Sequence, residues 1–306
     1  MSSLSVVATV YNDAGIVPLL VSEIIQNMPA GLTGYEIILV NDFSKDDSEQ
    51  AIAKECEKDT HVKGVSLRRN FGQQIAMSAG IHHASGAYIV IMDGDLQNPP
   101  SAIPVLLDKI KHGSYDIVYC ISKKRNDLWD SFTSAFFWFV LTRLFGVRIV
   151  RNQLMMKIMT KDFATHIKEY HEINRTVAGI VNDISWNYAT IEIDNQKRLH
   201  GKSHYTFAKR MNLMLDMIIS LSSAPLNFMI YLGFFTFLLT FAGLIYYLVL
   251  YLFFTVPSGY TSILLSVFFF GGLIVLILGV IGRYLANIYM EVRQRPLFHV
   301  KKTYNL

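Results

Sequence analysis

The sequence predicts an α/β domain with a mostly parallel sheet, followed by a pair of helices that cross a membrane. Three observations support this prediction. Short β-branched runs alternate with helix-like segments through the first 120 residues, clusters of polar residues stand directly after four of those runs, and two long stretches near the C-terminus carry no charge. The 306 residues therefore divide into a part that can build a ligand site and a part suited to lipid.

The first 120 residues contain five apolar runs that we interpret as strands. Helix-like segments such as Val17–Met28 and Gln73–His83 separate them. Continuous apolar runs of this kind are typical of parallel strands that are buried on both faces. We therefore expect a Rossmann-like domain, whose ligands bind beyond the carboxyl ends of the strands. The five runs are Leu4–Val10, Tyr35–Val40, Val62–Leu67, Ala87–Met92 and Tyr115–Cys120.

Polar clusters follow the first four strands, at the edge where a ligand is expected. They are Tyr11–Asp13, Asn41–Ser44, Arg68–Gly72 and Asp93–Asp95. Asp93 and Asp95 are one residue apart, and carboxylates so close repel each other unless a cation lies between them. Hard oxygen ligands favour Mg²⁺ or Mn²⁺, which complete their shell with water and phosphate oxygens, so a diphosphate is a natural bridging ligand. The sequence lacks both G-x-G-x-x-G after the first strand and the P-loop motif, which argues against a dinucleotide redox cofactor and a P-loop enzyme.

The C-terminal third predicts a transmembrane hairpin, with spans at about 226–254 and 262–283. Leu226–Phe254 and Ile263–Ile281 contain no charged residue and match the roughly 20 helical residues that cross a bilayer. Lysines and arginines flank the pair on both outer sides, which predicts cytosolic termini. The expected layout is a catalytic domain over 1–203, an interfacial amphipathic helix over 204–224, the hairpin over 225–290 and a cytosolic tail over 291–306. The alternative is a pair of buried helices in a soluble protein.

Composition agrees with a membrane protein of a reducing compartment. The chain is 52% hydrophobic with a mean hydropathy of +0.31, above an ordinary soluble enzyme. Cys56 and Cys120 stand in unrelated contexts, without the spacing of a disulfide framework or a zinc site. The net charge of +4 is scattered, so nucleic acid is not an expected partner, and the N-terminus lacks the pattern of a signal peptide.

The ordered motifs resemble the family 2 inverting glycosyltransferases of the GT-A fold, in the branch of dolichyl-phosphate mannose synthase and the bacterial undecaprenyl-phosphate sugar transferases. The matching stretches are TVYND, VNDFSKDD, RRNFGQQIAMSAGIHHASGAYIVIMDGDLQNPP, YDIVYC, RLHGKSHYTFAKRMNLMLDMIISLSSAPL and IGRYLANIYMEVRQRP. The resemblance implies transfer of a sugar from a UDP-, GDP- or dTDP-sugar to a polyprenyl phosphate, with Mg²⁺ or Mn²⁺ as cofactor. It also implies a bacterial inner-membrane protein with a cytosolic catalytic domain that supplies lipid-linked sugar for the cell envelope. The resemblance leaves open whether the protein forms a homo-oligomer.

The same resemblance implies roles for individual residues. Asp95 would be the principal metal ligand, with Asp93 beside it at the ribose and diphosphate, and Gln97 would face the site. Arg198 and Lys202 would hold the acceptor phosphate, although membrane topology alone also explains basic residues there. The nucleotide pocket would be lined by Thr9, Tyr11, Asn12, Asp42, Arg69 and Gln73. Ordinary structural interpretations stay open for three of these: a helix cap for Asp42, core packing for Tyr11 and a turn for Asn12.

The sequence departs from the family pattern where a catalytic base is expected. Relatives commonly show Gly-Asp-Phe-Arg-Leu-Met, with the aspartate as proposed base, whereas this chain reads Leu154–Met159, with Lys157 in place of the arginine. Gln73 and Arg283 likewise replace a common lysine and glutamate. Asp183 is a candidate substitute base. The expected acceptor needs little deprotonation, because a phosphate monoester has a second pKa of about 6.

Three alternative functions are weighed against transfer. A catalytically silent nucleotide-sugar-binding or scaffold module is compatible with the altered 154–159 segment. A phosphatase with Asp93 as nucleophile and Asp95 as acid would carry a hydroxyl residue where Gln97 stands. A pure membrane scaffold leaves the polar strand ends unexplained.

Overall fold

The computed structural model describes residues 3–122, 150, 152–170, 180, 187–194, 224–253 and 259–306. The chain divides into two compact units. Residues 1–132, 148–205 and 295–306 form the first unit, and residues 133–147 and 206–294 form the second. Of the expected interfacial helix over 204–224, residues 204–223 lie outside the described residues.

The described residues of the first unit form an eight-stranded sheet flanked by helices. The sheet order is β7-β5-β6-β4-β1-β2-β3-β8, with β6 and β8 antiparallel to their neighbours and the remaining pairs parallel. The predicted mostly parallel α/β sheet is therefore confirmed, and all five predicted strands form. Its strands are β1 Ser3–Val10, β2 Gly34–Asn41, β3 Val62–Leu67, β4 Tyr88–Asp93, β5 Ile117–Ser122, β6 Gln153–Thr160, β7 Tyr188–Ile193 and β8 Val300–Tyr304. Its helices are α1 Val17–Gln26, α2 Ser48–Lys58, α3 Gln73–His83, α4 Ala102–Gly113 and α5 Lys161–Glu169.

Helices cover both faces of this sheet, as continuous apolar strands require. α1, α2 and α4 pack on one face, and α3 and α5 pack on the other. α3 approaches the sheet closely at Gly80, where a Cβ atom would lie 2.2 Å from Val7 Cγ1 and 3.0 Å from Val40 Cγ2. Only glycine permits this approach, which fixes the position of α3 on the sheet.

The C-terminal segment returns to the first unit as strand β8. It pairs antiparallel with β3, and the Arg68 backbone N–H donates to the His299 carbonyl at 2.9 Å. The Asn305 side chain donates to the carbonyls of Cys56 and Val62 at 2.6 and 2.9 Å, and Lys301 pairs with Glu49 at 2.9 Å. The tail predicted only as cytosolic is thus a structural part of the sheet.

The second unit contains two long helices, α6 Ala224–Phe253 and α7 Tyr260–Val292. Both lie where the sequence predicts membrane spans. Among the described residues, one helical segment, Phe269–Val292, is long and apolar enough to cross a membrane, and α6 contains a shorter apolar segment, Phe228–Gly243. The two-span hairpin is therefore not confirmed by helix length and composition.

Glu36 anchors the amino-terminal edge of the sheet, opposite the strand ends that carry the polar clusters. Its carboxylate accepts hydrogen bonds from Ser5 Oγ at 2.6 Å and from the Ser85 backbone N–H and Oγ at 2.7 and 2.9 Å. Lys63 Nζ lies 2.6 Å from the other oxygen. Burial would raise the pKa of Glu36, but the hydrogen bonds from Lys63, Ser5 and Ser85 outweigh it and bring the pKa to about 2. This network joins β1, β2, β3 and the loop that precedes β4.

We predict that Glu36→Gln destabilises the sheet by about 2–3 kcal/mol at pH 7, because a pKa lowered on folding stabilises the folded state above the unfolded pKa. That contribution is lost as the pH falls from about 4.5 towards 2, so wild-type and variant protein should converge in acid. Hydrogen-exchange mass spectrometry on β2 peptides measures the difference. The exposed Glu57→Gln is the control, and an equal effect of both substitutions would contradict the assignment.

Candidate active site

Gly94 fixes the acidic pair against the first strand. Thr9 of β1 lies opposite Asp93 of β4, and the Gly94 N–H donates to the Thr9 carbonyl at 3.1 Å. A Cβ atom on residue 94 would lie 2.5 Å from that carbonyl oxygen. The middle residue of the Asp-Gly-Asp sequence must therefore be glycine, and the close contact holds Asp93 and Asp95 at the carboxyl edge of the sheet.

The loops after β1 and β2 are joined to each other by side chains. Asn12 accepts from the Lys45 N–H at 2.8 Å through Oδ1, and its own N–H donates to Ser44 Oγ at 3.0 Å. Asp46 accepts from the Ala14 N–H at 3.0 Å. Asn12 has a φ of 54°, so the turn interpretation is correct, although its side chain also joins the two loops. These bonds explain the polar composition of the two motifs.

Tyr11 lies on the surface of this edge. Its side chain is 44% exposed, so the core interpretation of Tyr11 is wrong. Thr9 is half-buried beside it. Both positions are compatible with the predicted nucleotide pocket, and their contact with a nucleotide stays a prediction.

Asp42 holds the loop that follows β3. It is 4% exposed, and its two carboxylate oxygens accept the backbone N–H groups of Phe71 and Gly72, each at 2.8 Å. Burial raises the pKa of Asp42, and the two backbone donors oppose that shift. The helix-cap interpretation is wrong, because α2 begins at Ser48 with Asp47 before it. The predicted contact of Asp42 with the nucleoside stays a prediction.

The loop that Asp42 holds carries two more of the predicted nucleotide-binding residues. Arg69 is exposed, and its guanidinium carbon lies 4.5 Å from the centre of the Phe71 ring. Gln73, the first residue of α3, donates through Nε2 to Asp93 Oδ1. The structure therefore brings Gln73 and Asp93 together, and Asp42 holds the loop that directly precedes Gln73.

The residues after β4 suit a hard divalent cation. Asp93, Asp95 and Gln97 are all partly exposed, and Asp95 Oδ1 accepts the Gln97 backbone N–H at 3.1 Å. Asn98 is 2% exposed, and its Oδ1 has no hydrogen-bond partner in the described part of the chain. A buried amide oxygen without a partner, in the segment that directly follows the acidic pair, fits an oxygen-ligand site.

The few protein ligands at Asp93 and Asp95 imply that a cation bound there would also contact a ligand. In the described ranges, no group of three or more His, Cys, Asp or Glu residues could hold a metal ion by itself. A cation at Asp93 and Asp95 would therefore take further ligands from water or a diphosphate. Asn98 was not among the predicted site residues, and its only signal in the sequence is its place between the acidic pair and Pro99–Pro100.

Strand β6 brings the unusual Leu154–Met159 segment next to this edge. β6 runs antiparallel to β4, with Lys157 opposite Ile91, so its amino end lies at the carboxyl end of β4. Met155 is partly buried and packs against the apolar cluster on the face of the sheet that α3 and α5 cover. Lys157 is 2% exposed; burial lowers its pKa to about 8, and the charge of Asp93 acts in the opposite direction. The position at which the resemblance suggested a base is therefore occupied by an apolar side chain.

The predicted acceptor-side residues cannot be placed. Asp183, Arg198 and Lys202 lie outside the described residues. Their roles stay predictions.

Comparisons with known proteins identify the family. The family model described as "Glycosyl transferase family 2" matches residues 5–189. The chain is 32% identical over 310 residues to the undecaprenyl-phosphate 4-deoxy-4-formamido-L-arabinose transferase of Shewanella sediminis, covering 97% of this chain and 91% of the relative. It is 30% identical over 303 residues to a bactoprenol glucosyl transferase of Shigella flexneri, covering 98% of each.

The fold is also that of solved glycosyltransferases. Glucosyl-3-phosphoglycerate synthase of Mycobacterium tuberculosis, solved with Mn²⁺, UDP-glucose and phosphoglyceric acid, superposes with a TM-score of 0.52 at 14% identity. The match covers 73% of this chain and 79% of that one. Because the family model spans more than half of the chain and the relatives match over almost its full length, the chain belongs to glycosyl transferase family 2, and it is a glycosyltransferase.

Proposed function

We propose that the protein transfers a sugar from a nucleotide-diphosphate sugar to undecaprenyl or a related polyprenyl phosphate, with inversion, at the cytosolic face of a membrane. The observation that carries the proposal is the convergence of Asp93, Asp95, Asp42 and Asn12 on one edge of the sheet. The names of the two full-length relatives supply the acceptor class. The two relatives transfer different sugars, and so the proposal leaves the sugar open.

Asp95 and Asp93 would hold Mg²⁺ or Mn²⁺ together with the diphosphate. A bound divalent cation would stabilise the negative charge that develops on the leaving diphosphate. Gln73 orients Asp93 through its hydrogen bond, and Asp42 holds the loop from which Gln73 extends. These contacts preorganise the donor side before substrate arrives, which reduces the entropic part of the barrier.

The acceptor side does not require a protein base at residue 155. Met155 offers no proton acceptor, and the second pKa of a phosphate monoester is about 6, so most of the acceptor is already an oxyanion at neutral pH. Alignment of that oxyanion with the anomeric carbon is then the main requirement. Arg198 and Lys202 are proposed to hold the phosphate, and Asp183 is the candidate base if one is used.

Strand β8 supports two membrane crossings. β7 precedes α6 and α7 in the chain, β8 follows them, and both strands belong to the same sheet. A chain that leaves and re-enters one sheet on one side of a membrane crosses it an even number of times. This connectivity favours a hairpin of α6 and α7 over a single span, and the flanking positive charges favour a cytosolic sheet.

We predict that purified protein with Mg²⁺ or Mn²⁺ moves radiolabel from one UDP-, GDP- or dTDP-sugar to undecaprenyl phosphate, recovered in the organic phase. Asp95→Asn should lower transfer by at least about 100-fold, because the cation loses its principal ligand. Asp108→Asn, on the exposed face of α4, is the matched control and should transfer normally. Donor binding without labelled lipid would favour the catalytically silent module.

We also predict that a membrane-impermeant maleimide reaches a cysteine at position 258, between α6 and α7, only from the outer side of intact cells. A cysteine at position 303, in β8, should react only after the membrane is opened. The native thiols give little background, because burial raises the pKa of Cys56 to about 11 and that of Cys120 to about 12, and the thiolate is the reactive form. The reverse pattern would contradict the orientation.

A further inference from the structure

Lys157 is a buried cation that the proposed mechanism does not yet use. It lies in β6 between Ile91 of β4 and Tyr119 of β5, and it is 2% exposed. Its Nζ lies 5.5 Å from the centre of the Tyr119 ring, and no residue in the described ranges accepts a hydrogen bond from it or pairs with it as an ion.

Lys157 and Asp93 lie on the same face of the sheet, on neighbouring strands. Alternate residues of a strand share one face, so Asp93 lies on the same face of β4 as Ile91, the residue opposite Lys157. The charge of Asp93 acts on the ammonium and opposes the lowering of the Lys157 pKa by burial. Gln73 reaches the same carboxylate from α3 as a neutral hydrogen-bond donor. Of these two described side chains around Asp93, only Lys157 contributes a positive charge.

The Tyr119 ring gives the ammonium one cation–π partner, but packing in this strand does not require a charge. The neighbouring buried residues of β6, Met156, Ile158 and Met159, are apolar. Replacement of a buried charge by an apolar side chain of similar volume is often neutral or stabilising. The charge at residue 157 therefore needs an electrostatic reason, and the acidic edge of the site lies next to it.

We propose that Lys157 is a positioning residue of the donor site: its charge partly offsets Asp93, so that the edge binds an anionic nucleoside diphosphate together with its cation rather than the cation alone. The inference rests on the proposed function and extends it, since it assigns the balance between metal and diphosphate binding to one buried side chain. Lys157 acts through the potential at Asp93 and makes no contact with the reacting atoms.

This role requires effects of opposite sign on two affinities. Removal of the positive charge makes the edge more negative, which strengthens the binding of free Mn²⁺ and weakens the binding of a nucleoside diphosphate. Each change should be about tenfold for a charge several ångströms away in a partly buried site. The KM for the donor sugar should rise with the loss of diphosphate affinity, while kcat changes little.

The experiment uses the full-length protein in detergent. Mn²⁺ binding is measured alone by electron paramagnetic resonance, and UDP, GDP and dTDP are each titrated calorimetrically at saturating Mn²⁺. Lys157→Met keeps the length of the side chain without its charge, and Lys157→Arg keeps the charge. Lys109→Met, on the exposed face of α4, is the control. A double variant, Lys157→Met with Gln73→Lys, returns a cation to Asp93 from α3, because residue 73 already reaches that carboxylate.

The inference predicts tighter Mn²⁺ binding and weaker diphosphate binding in Lys157→Met, with both restored in Lys157→Arg and in the double variant. Wild-type affinities in Lys157→Met, or equal loss of both affinities with a lower melting temperature, would overturn it. If Lys157→Met does not fold, Gln73→Lys alone is the test. The added cation is expected to weaken Mn²⁺ binding and strengthen diphosphate binding. Unchanged affinities in Gln73→Lys would overturn the inference. Absence of diphosphate binding in the wild type would instead overturn the proposed function, and this inference with it.

Discussion

The repulsion between Asp93 and Asp95 is the constraint on which the rest of the site depends. Two carboxylates one residue apart at the end of a buried strand are unfavourable unless positive charge lies near them. The Gly94 contact with Thr9 fixes the backbone between the two residues at the edge of the sheet. The surrounding loops therefore have to supply donors and admit a cation. Gln73 donates a hydrogen bond to Asp93, and we propose that Lys157 and a metal ion supply positive charge.

Carboxylates at the two edges of the sheet have different roles. At the amino edge, Glu36 has a complete set of donors, including Lys63, and its charge stabilises the fold. At the carboxyl edge, Asp42 also has both oxygens occupied, but its donors belong to the loop before α3. Asp93 and Asp95 differ from both, because they are partly exposed. A buried carboxylate with its own donors organises structure, whereas a partly exposed pair is available to a ligand.

The sequence predicts most of the sheet and the location of the site, because buried parallel strands read as apolar runs and their polar ends follow directly. β1 to β5 and α3 lie where the sequence places them. β6, β7 and β8 were not predicted. β6 contains a buried lysine, and the two edge strands carry charged residues, Glu192 in β7 and Lys301 and Lys302 in β8. Hydrogen-bond partners were also beyond prediction: nothing in the sequence indicates that Asp42 binds the backbone of residues 71 and 72, or that Lys157 lies beside Asp93.

The central claim is that the acidic pair after β4 forms a joint site for a divalent cation and a nucleoside diphosphate. Its most direct test is an anomalous difference map from crystals of the protein soaked with Mn²⁺ and the nucleoside diphosphate that the protein binds. The account predicts a manganese peak about 2.0–2.3 Å from an Asp95 carboxylate oxygen, with diphosphate oxygens completing the shell. A manganese peak elsewhere, or a diphosphate bound away from Asp93 and Asp95, would contradict it.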